Sequence, residues 1–274
     1  MNLTDLLLLL FAGTAAGAVG SMLGVGGGMI IIPVLTSFFP FEFEQARATS
    51  LFAVIATSCG VAVATGKERF GNLRLSVILA VPTALAAFLN ALLAYRTQAS
   101  VLYLLFSGVL IVAALLMWRR EPPENNYHES DGASPNSLDG IYYDPKLGRE
   151  VMYKIRRVPS LFGVSAVAGG VSGLLGVGGG VFQVPAMSLL GEIPMRAATA
   201  TSNFLLGVTA AASLPIYMSR GHVRPLESTA VVIGVFGGAF AGAAFAKKLH
   251  GTALRRLFTI ILVILAIQMF RKGL

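Results

Sequence analysis

Leu23-Gly24-Val25-Gly26-Gly27-Gly28 lies inside a long apolar run, and 152 residues later the same six residues return as Leu175-Gly176-Val177-Gly178-Gly179-Gly180. The match extends outward without gaps. Pro33 pairs with Pro185, Ala48-Thr49-Ser50 with Ala200-Thr201-Ser202, and Phe52 with Phe204, and twelve of the thirty positions from 23 to 52 are identical. Low complexity does not place Pro, Thr and Ser at matched spacing, so the chain reads as a duplication. Further on, Gly71-Asn72-Leu73-Arg74 resembles Gly221-His222-Val223-Arg224.

The runs around the motifs are those of a membrane protein. Asp, Glu, Lys and Arg are missing from 6–41, 48–66, 75–95, 97–118, 158–191, 197–219 and 228–246. A span needs about 20 apolar residues to cross a hydrocarbon core of about 30 Å. The shorter run 257–270 is flanked by Arg255, Arg256, Arg271 and Lys272, which can snorkel to the interface. With 55% hydrophobic and 12% charged residues and a mean hydropathy of +0.75, the fold class is an all-α polytopic membrane protein. The net charge of +8 sits in short loops, where the positive-inside rule explains it better than nucleic acid does. Cys59 falls mid-span and reads as a small packing residue; one cysteine gives neither a disulfide framework nor a thiolate metal site. The N-terminal apolar stretch lacks a basic leader and runs into the repeated motif, so it reads as a first mature span, not a signal peptide.

Each half divides into five apolar segments: 3–23, 26–39, 46–65, 74–95 and 99–118, then 158–175, 178–190, 197–218, 228–247 and 253–271. The organisation is a first membrane repeat at 1–118, a polar linker at 119–157 and a second repeat at 158–274. The linker holds Pro122-Pro123, Asn125-Asn126 and most acidic residues, and reads as a polar, partly disordered loop. The 36-residue run 6–41 would be about 54 Å long as one helix, too long for a straight span. A break at the glycines resolves this in one of two ways. A hairpin followed by three spans gives an odd number of crossings and inverted halves; a broken span followed by three gives parallel halves. Lys and Arg divide 15 to 6 in the inverted case and 14 to 7 in the parallel case, with the linker on the richer, cytoplasmic side both times. The counts do not choose, and the inverted arrangement is preferred as the commoner transporter design.

Three adjacent glycines are costly in a helix, at about 0.8–1.0 kcal/mol each relative to alanine. In lipid, irregular backbone survives only inside protein or beside a watery cavity. Two related breaks therefore suggest one central site, where free N–H groups and helix N-termini attract an anion. The candidate substrate-binding residues are Gly26, Gly27, Gly28, Thr49, Ser50, Gly178, Gly179, Gly180, Gln183, Thr201, Ser202 and Asn203. The hydroxyls and the Asn203 amide stand near the start of a span, where they can donate to an oxyanion or back-bond to the i−4 carbonyl. Gln183 replaces Ile31 of the first half and adds a polar group on one side only. Gly13, Gly17, Gly20 and Gly24, like Gly234, Gly238 and Gly242, read as small-residue packing seams. Arg47 and Arg196 read as interface anchors that could also guide anions at the mouth.

No Ser/His/Asp set, intramembrane carboxylate pair, nucleotide loop or metal cluster is present in the sequence. No cofactor or metal is expected, which leaves a secondary carrier or a channel. The doubled motif, with Pro33, Ala48-Thr49-Ser50, Pro185 and Ala200-Thr201-Ser202-Asn203, resembles the sulfite exporter TauE/SafE family of membrane permeases across nearly the whole chain outside 119–157. The resemblance implies a multi-pass inner-membrane permease for small anions, chiefly sulfur oxyanions and organosulfonates. The expected partners are the small anion, the lipid bilayer and possible further copies of the chain in a homo-oligomer, not nucleic acid. An anion channel of the same architecture, or an integral-membrane enzyme or assembly factor, are the competing readings.

Overall fold

A computed structural model describes residues 3–65, 72–94, 96–119, 138–144, 149–246 and 251–274. Among these described residues ten helices follow the apolar segments: α1 (Leu3–Leu23), α2 (Gly28–Phe38), α3 (Phe43–Thr65), α4 (Leu73–Ala94), α5 (Ala99–Arg119), α6 (Val158–Leu175), α7 (Gly180–Leu189), α8 (Met195–Ser219), α9 (Pro225–Ala246) and α10 (Gly251–Gly273). Among the described residues, α1, α3, α4, α6, α8 and α9 are long and apolar enough to cross a membrane. The chain is an all-α polytopic membrane protein. Leu7, Phe11, Leu85, Leu89, Phe240 and Ile264 are exposed on its outside, where lipid covers them.

The short helices turn back. With 11 and 10 residues, α2 and α7 are about 15–16 Å long, half a bilayer core. The end of α2 (Val34, Phe38, Phe39, Pro40) shares a recess with the start of α1 (Asp5, Leu8, Phe11, Ala12). Likewise, the Arg156 N–H just before α6 donates to the Gly191 carbonyl just after α7, at 3.2 Å. Each short helix thus returns to the face its predecessor entered from. Of the two solutions for the over-long runs, the hairpin is the one found.

Three helices then follow each hairpin, an odd number, so the halves run in opposite senses. The contacts between helices agree. On α1 and α9, Gly13 meets Val231, Gly17 meets Val235, Gly238 meets Thr14 and Gly242 meets Ala18, so the two helices are parallel. On α4 and α6, Gly169 meets Thr83 and Gly173 meets Ala87, also in parallel. A β-carbon at any of these glycines would strike the facing backbone, which is why small residues form the seams. Helices α5 and α10 are antiparallel: Ser107 Oγ donates to the Ala266 carbonyl at 3.0 Å, and Gly273 lies against Leu104 and Ser100. Pairings exchange between halves, α1 on α9 with α6 on α4, and α3 on α9 with α8 on α4, while α3 and α8 pack together at the centre.

Three expectations change. Gly20 and Gly24 are not seam residues: Gly20 backs onto Gly26, and Gly24 has φ +68° in the turn. Cys59 is exposed on α3, not packed. The linker is not only a loop. Strands β1 (Gly140–Asp144) and β2 (Arg149–Tyr153) pair antiparallel, with Gly140 opposite Tyr153. Ile141, Tyr142, Tyr143, Val151 and Tyr153 are the β-branched and aromatic types that suit strands. Tyr153 is buried against a cluster holding Leu75, Leu79 and Leu161, and that burial raises its phenol to about 12. His128, His250 and residues 120–137 lie outside the described residues.

Candidate functional site: two crossed glycine breaks

Each break begins where a helix ends in the left-handed region. Gly24 and Gly26 have φ of +68° and +79°, and Gly176, Gly178 and Gly179 have φ of +73°, +84° and +78°. Only glycine takes these angles without steric cost. Residues 24–28 and 176–180 are all buried, and the two turns lie against each other. A β-carbon on Gly180 would meet the Gly24 carbonyl, and one on Gly28 would come within 3.4 Å of the Gly176 carbonyl.

Two hydroxyls lock this crossing. Ser50 Oγ on α3 donates to the Gly176 carbonyl at 2.7 Å. Ser202 Oγ on α8 donates to the Gly24 carbonyl at 2.9 Å. Each half therefore holds the break of the other, through positions 152 apart. The hydroxyl hydrogens are engaged by these carbonyls, which leaves oxygen lone pairs and not O–H donors facing the turn. Between the breaks sit Val54 and Leu206, again 152 apart, both fully buried. Their methyl groups touch the places where Gly26 and Gly178 lack a side chain.

The other candidates divide. Thr49 Oγ1 pairs with Ser228 Oγ of α9 at 2.9 Å, and Thr201 Oγ1 accepts from the Asn72 amide at 3.1 Å. Both tie helices together beside the crossing without meeting the breaks. Gln183 is 1% exposed, and its Nε2 reaches Thr83 Oγ1 at 3.5 Å. Asn203 is 2% exposed with neither amide atom paired. Gly27 differs from its partner: its φ is −65°, against +78° at Gly179.

Sequence reasoning missed two groups. Thr57 Oγ1 accepts from the Gly27 amide at 3.3 Å while donating to the Ala53 carbonyl at 2.9 Å. Thr209, 152 residues on, back-bonds to the Leu205 carbonyl at 2.7 Å; this matched pair was visible one step beyond the aligned block. The second group is Arg47. It is wholly buried, not an interface anchor. Its guanidinium donates to the Leu174 carbonyl at 2.6 Å, to Tyr217 Oη at 3.2 Å and to Glu44 Oε1 at 2.6 Å. It also lies over the rings of Phe43 and Tyr217. Tyr217 Oη in turn donates to the Gly173 carbonyl at 2.7 Å. Arg47 thus caps the C-terminal end of α6, where carbonyls lack helical partners. The Arg196 side chain lies outside the described residues.

The helices that restart after each break leave donors open. Among the described residues, no acceptor in the protein is found for the amides of Gly28, Met29 and residues 177–181. A helix N-terminus carries roughly half a positive charge. Two such ends meet at the crossing with no acidic side chain among the residues of either turn.

Half-crossing helices in oppositely directed halves, broken at a shared central point, are the architecture of a membrane transporter. Residues 9–269 match the family described as sulfite exporter TauE/SafE, and the chain belongs to that family. Relatives carry transporter names. "Probable membrane transporter protein YunE" of Bacillus subtilis is 27% identical over 97% of this chain and 97% of its own. A "Probable membrane transporter protein" of Haemophilus influenzae is 25% identical over 98% and 99%. A third, from Methanocaldococcus jannaschii, is 23% identical over 83% and 79%. No solved structure matches the chain. The protein is a membrane transporter, not an enzyme.

Proposed function

We propose that the chain is a secondary permease for a small anion, a sulfur oxyanion or organosulfonate, which binds where the two breaks cross. The observation that carries this is the set of free amides at the starts of α2 and α7, held together by the Ser50 and Ser202 bonds. Neutral donors of this kind bind an oxyanion without a buried cation. The family name supports the sulfur chemistry. Val54 and Leu206 close the crossing, so passage requires the halves to move; this favours a carrier over an open channel. Given the hairpins, Lys and Arg divide 15 to 6 between the linker face and the other, which supports a cytoplasmic linker in an inner membrane.

The test is flux of labelled sulfite and small sulfonates in proteoliposomes of the full chain. Saturable uptake with counterflow is expected; linear, non-saturating flux would make it a channel, and none for any anion would remove the proposal. A single cysteine at Asn125 in a Cys59→Ala background should resist impermeant thiol reagents in intact cells. Ready labelling from outside reverses the orientation.

A further inference from the structure

The two breaks match in backbone but not in the side chains beside them. Gly20 of the first half corresponds to Ser172, Ile31 to Gln183 and Leu51 to Asn203. All six are buried. The first-half residues are apolar and bring no polar side-chain atom to the interior. The second-half residues bring several, and Ser172 Oγ, Gln183 Oε1 and both amide atoms of Asn203 find no partner in the protein. Buried polar groups are nearly always hydrogen-bonded, and each exception calls for an explanation. Ser37, Glu44, Arg47 and Ser188 also carry an unpaired buried atom; the three exceptions here fall at second-half positions whose first-half counterparts are apolar.

Two of them flank the same residue. Ser172 on α6 has its Cβ 3.5 Å from where a β-carbon of Gly179 would stand. Gln183, one turn into α7, has its own amide bonded to the Gly179 carbonyl at 3.3 Å. The orientation of the Gln183 side chain is fixed by its neighbour. Thr83 Oγ1 spends its hydrogen on the Leu79 carbonyl and can only accept, so it takes the Gln183 NH2 and leaves Oε1 open. In the turn that joins α6 to α7 and at the start of α7 the amides of residues 177–181 lack acceptors. Such a place offers N–H donors, which suit negative charge, together with an amide oxygen and a hydroxyl oxygen able to accept.

We propose that the side-chain contacts of the substrate seat lie in the second break alone, at Ser172 and Gln183 with the amides of 177–181, and that its ligand is a compact anion bearing at least one hydrogen-bond donor. The inference rests on the permease reading and deepens it. The charge of the ligand takes the amides and its donor takes Gln183 Oε1. A protonated oxyanion and a hydroxyl-bearing organic anion share this chemistry. The first break, with Ile31 and Gly20, contributes backbone amides and no polar side chain.

The probes are 2-hydroxyethanesulfonate and ethanesulfonate, which differ only in the hydroxyl, and sulfite below and above the pKa of hydrogensulfite. Binding is read on the purified full chain as ligand-induced thermal stabilisation, and flux is read in proteoliposomes. The hydroxylated sulfonate is expected to bind at least tenfold more tightly than ethanesulfonate, because a buried acceptor left unpaired rejects the analogue. Sulfite should bind better below that pKa than above it. Which of the two binds tells the organic from the inorganic ligand. Gln183→Ile and Ser172→Gly, which copy the first half, should abolish the preference for the donor-bearing form. Ile31→Gln should leave it intact. Unchanged preference in both second-half variants, equal binding of the two sulfonates with no dependence on sulfite protonation, or no binding of any probe, overturns the proposal. So does stabilisation by sodium alone that disappears in Gln183→Ile, which would make the open oxygens cation ligands. Binding that depends on Gln183 without flux of any anion would instead sink the permease reading and leave the seat standing.

Discussion

Replacing Ser50 and Ser202 by alanine separates a structural clamp from a ligand contact. Both hydroxyls are fully buried and donate to carbonyls of the opposite break, at 2.7 and 2.9 Å. Interhelical hydrogen bonds in membranes are worth about 0.6 kcal/mol on average and at most about 1.7, since the separated helices find other partners. Gly176 and Gly24 lie at left-handed turns, where no helical N–H follows at the right place to replace the serine. Each single variant should therefore sit near the upper end, at about 1.5 kcal/mol of unfolding free energy. The two bonds hold one contact between the same pair of turns. Once one is lost the turns can relax, so the double variant should lose less than the sum, with a coupling of about 0.5 kcal/mol or more. The assay is equilibrium unfolding of the purified protein in mixed micelles for wild type, both singles and the double. It is paired with flux measured under conditions where all four remain folded. Maximal flux should fall, because the breaks no longer move as one, while the half-saturation concentration changes less than threefold. A tenfold rise in half-saturation with unfolding unchanged would falsify the clamp and return the hydroxyls to direct contact with the anion.

Gly179→Ala should be damaging and Gly27→Ala mild, although the positions correspond. Position 179 is left-handed and its β-carbon would meet the Ala168 carbonyl at 2.8 Å, whereas position 27 is right-handed with nothing nearer than 3.4 Å; folded yield and flux report the difference. Arg47→Met should destabilise by about 3 kcal/mol, since it leaves the Leu174 carbonyl and the Glu44 carboxylate without their buried partner, and Arg47→Lys should recover only part, lacking the fork that reaches three acceptors at once. Burial pushes the Tyr153 phenol up to about 12 against about 10 when unfolded, so the stability it contributes is complete below pH 10 and is lost as pH rises towards 12. Limited proteolysis of the linker across that range should show the loss, and Tyr153→Phe should remove the pH dependence. Leu206→Ala should open the crossing, costing about 2–5 kcal/mol in stability and adding a non-saturating component to anion flux; flux that stays strictly saturable means that Leu206 does not seal the path.

The breaks and the helices were legible because glycine clusters and charge-free runs are local signals with one physical meaning in lipid. The direction of α2 and α7 was not. Whether a short helix continues or folds back depends on tertiary features such as the recess shared by the start of α1 and the end of α2, or the bond from Arg156 to Gly191. Charge counts could not substitute, since moving a few loops between faces changes them by one residue. Arg47 was misjudged for the same reason: a lone arginine near a span end usually snorkels, and nothing local announces the α6 carbonyl, Tyr217 and Glu44 that meet it in the interior. The linker strands were overlooked because proline, asparagine and acidic residues at 119–139 coloured the reading of Ile141 to Tyr153. Thr57 and Thr209 could have been found by extending the comparison of halves five residues past Phe52.

The crossing also explains why the two halves need each other. A glycine turn at membrane depth exposes carbonyls and amides that lipid cannot satisfy. The half that makes the turn cannot repair it, because its own helix has just ended there. The carbonyls are met by a serine of the other half, and the amides at the helix restarts are left for something that is not protein. The two serine bonds are reciprocal: what one half needs from the other it also gives, at the position 152 residues away. Once both turns are held, identity of the two halves is no longer required beyond the clamps. Ile31 against Gln183 is one such difference, and both serine clamps are in place beside it. The two turns match in their clamps, while the side chains beside them make only one of the two breaks polar.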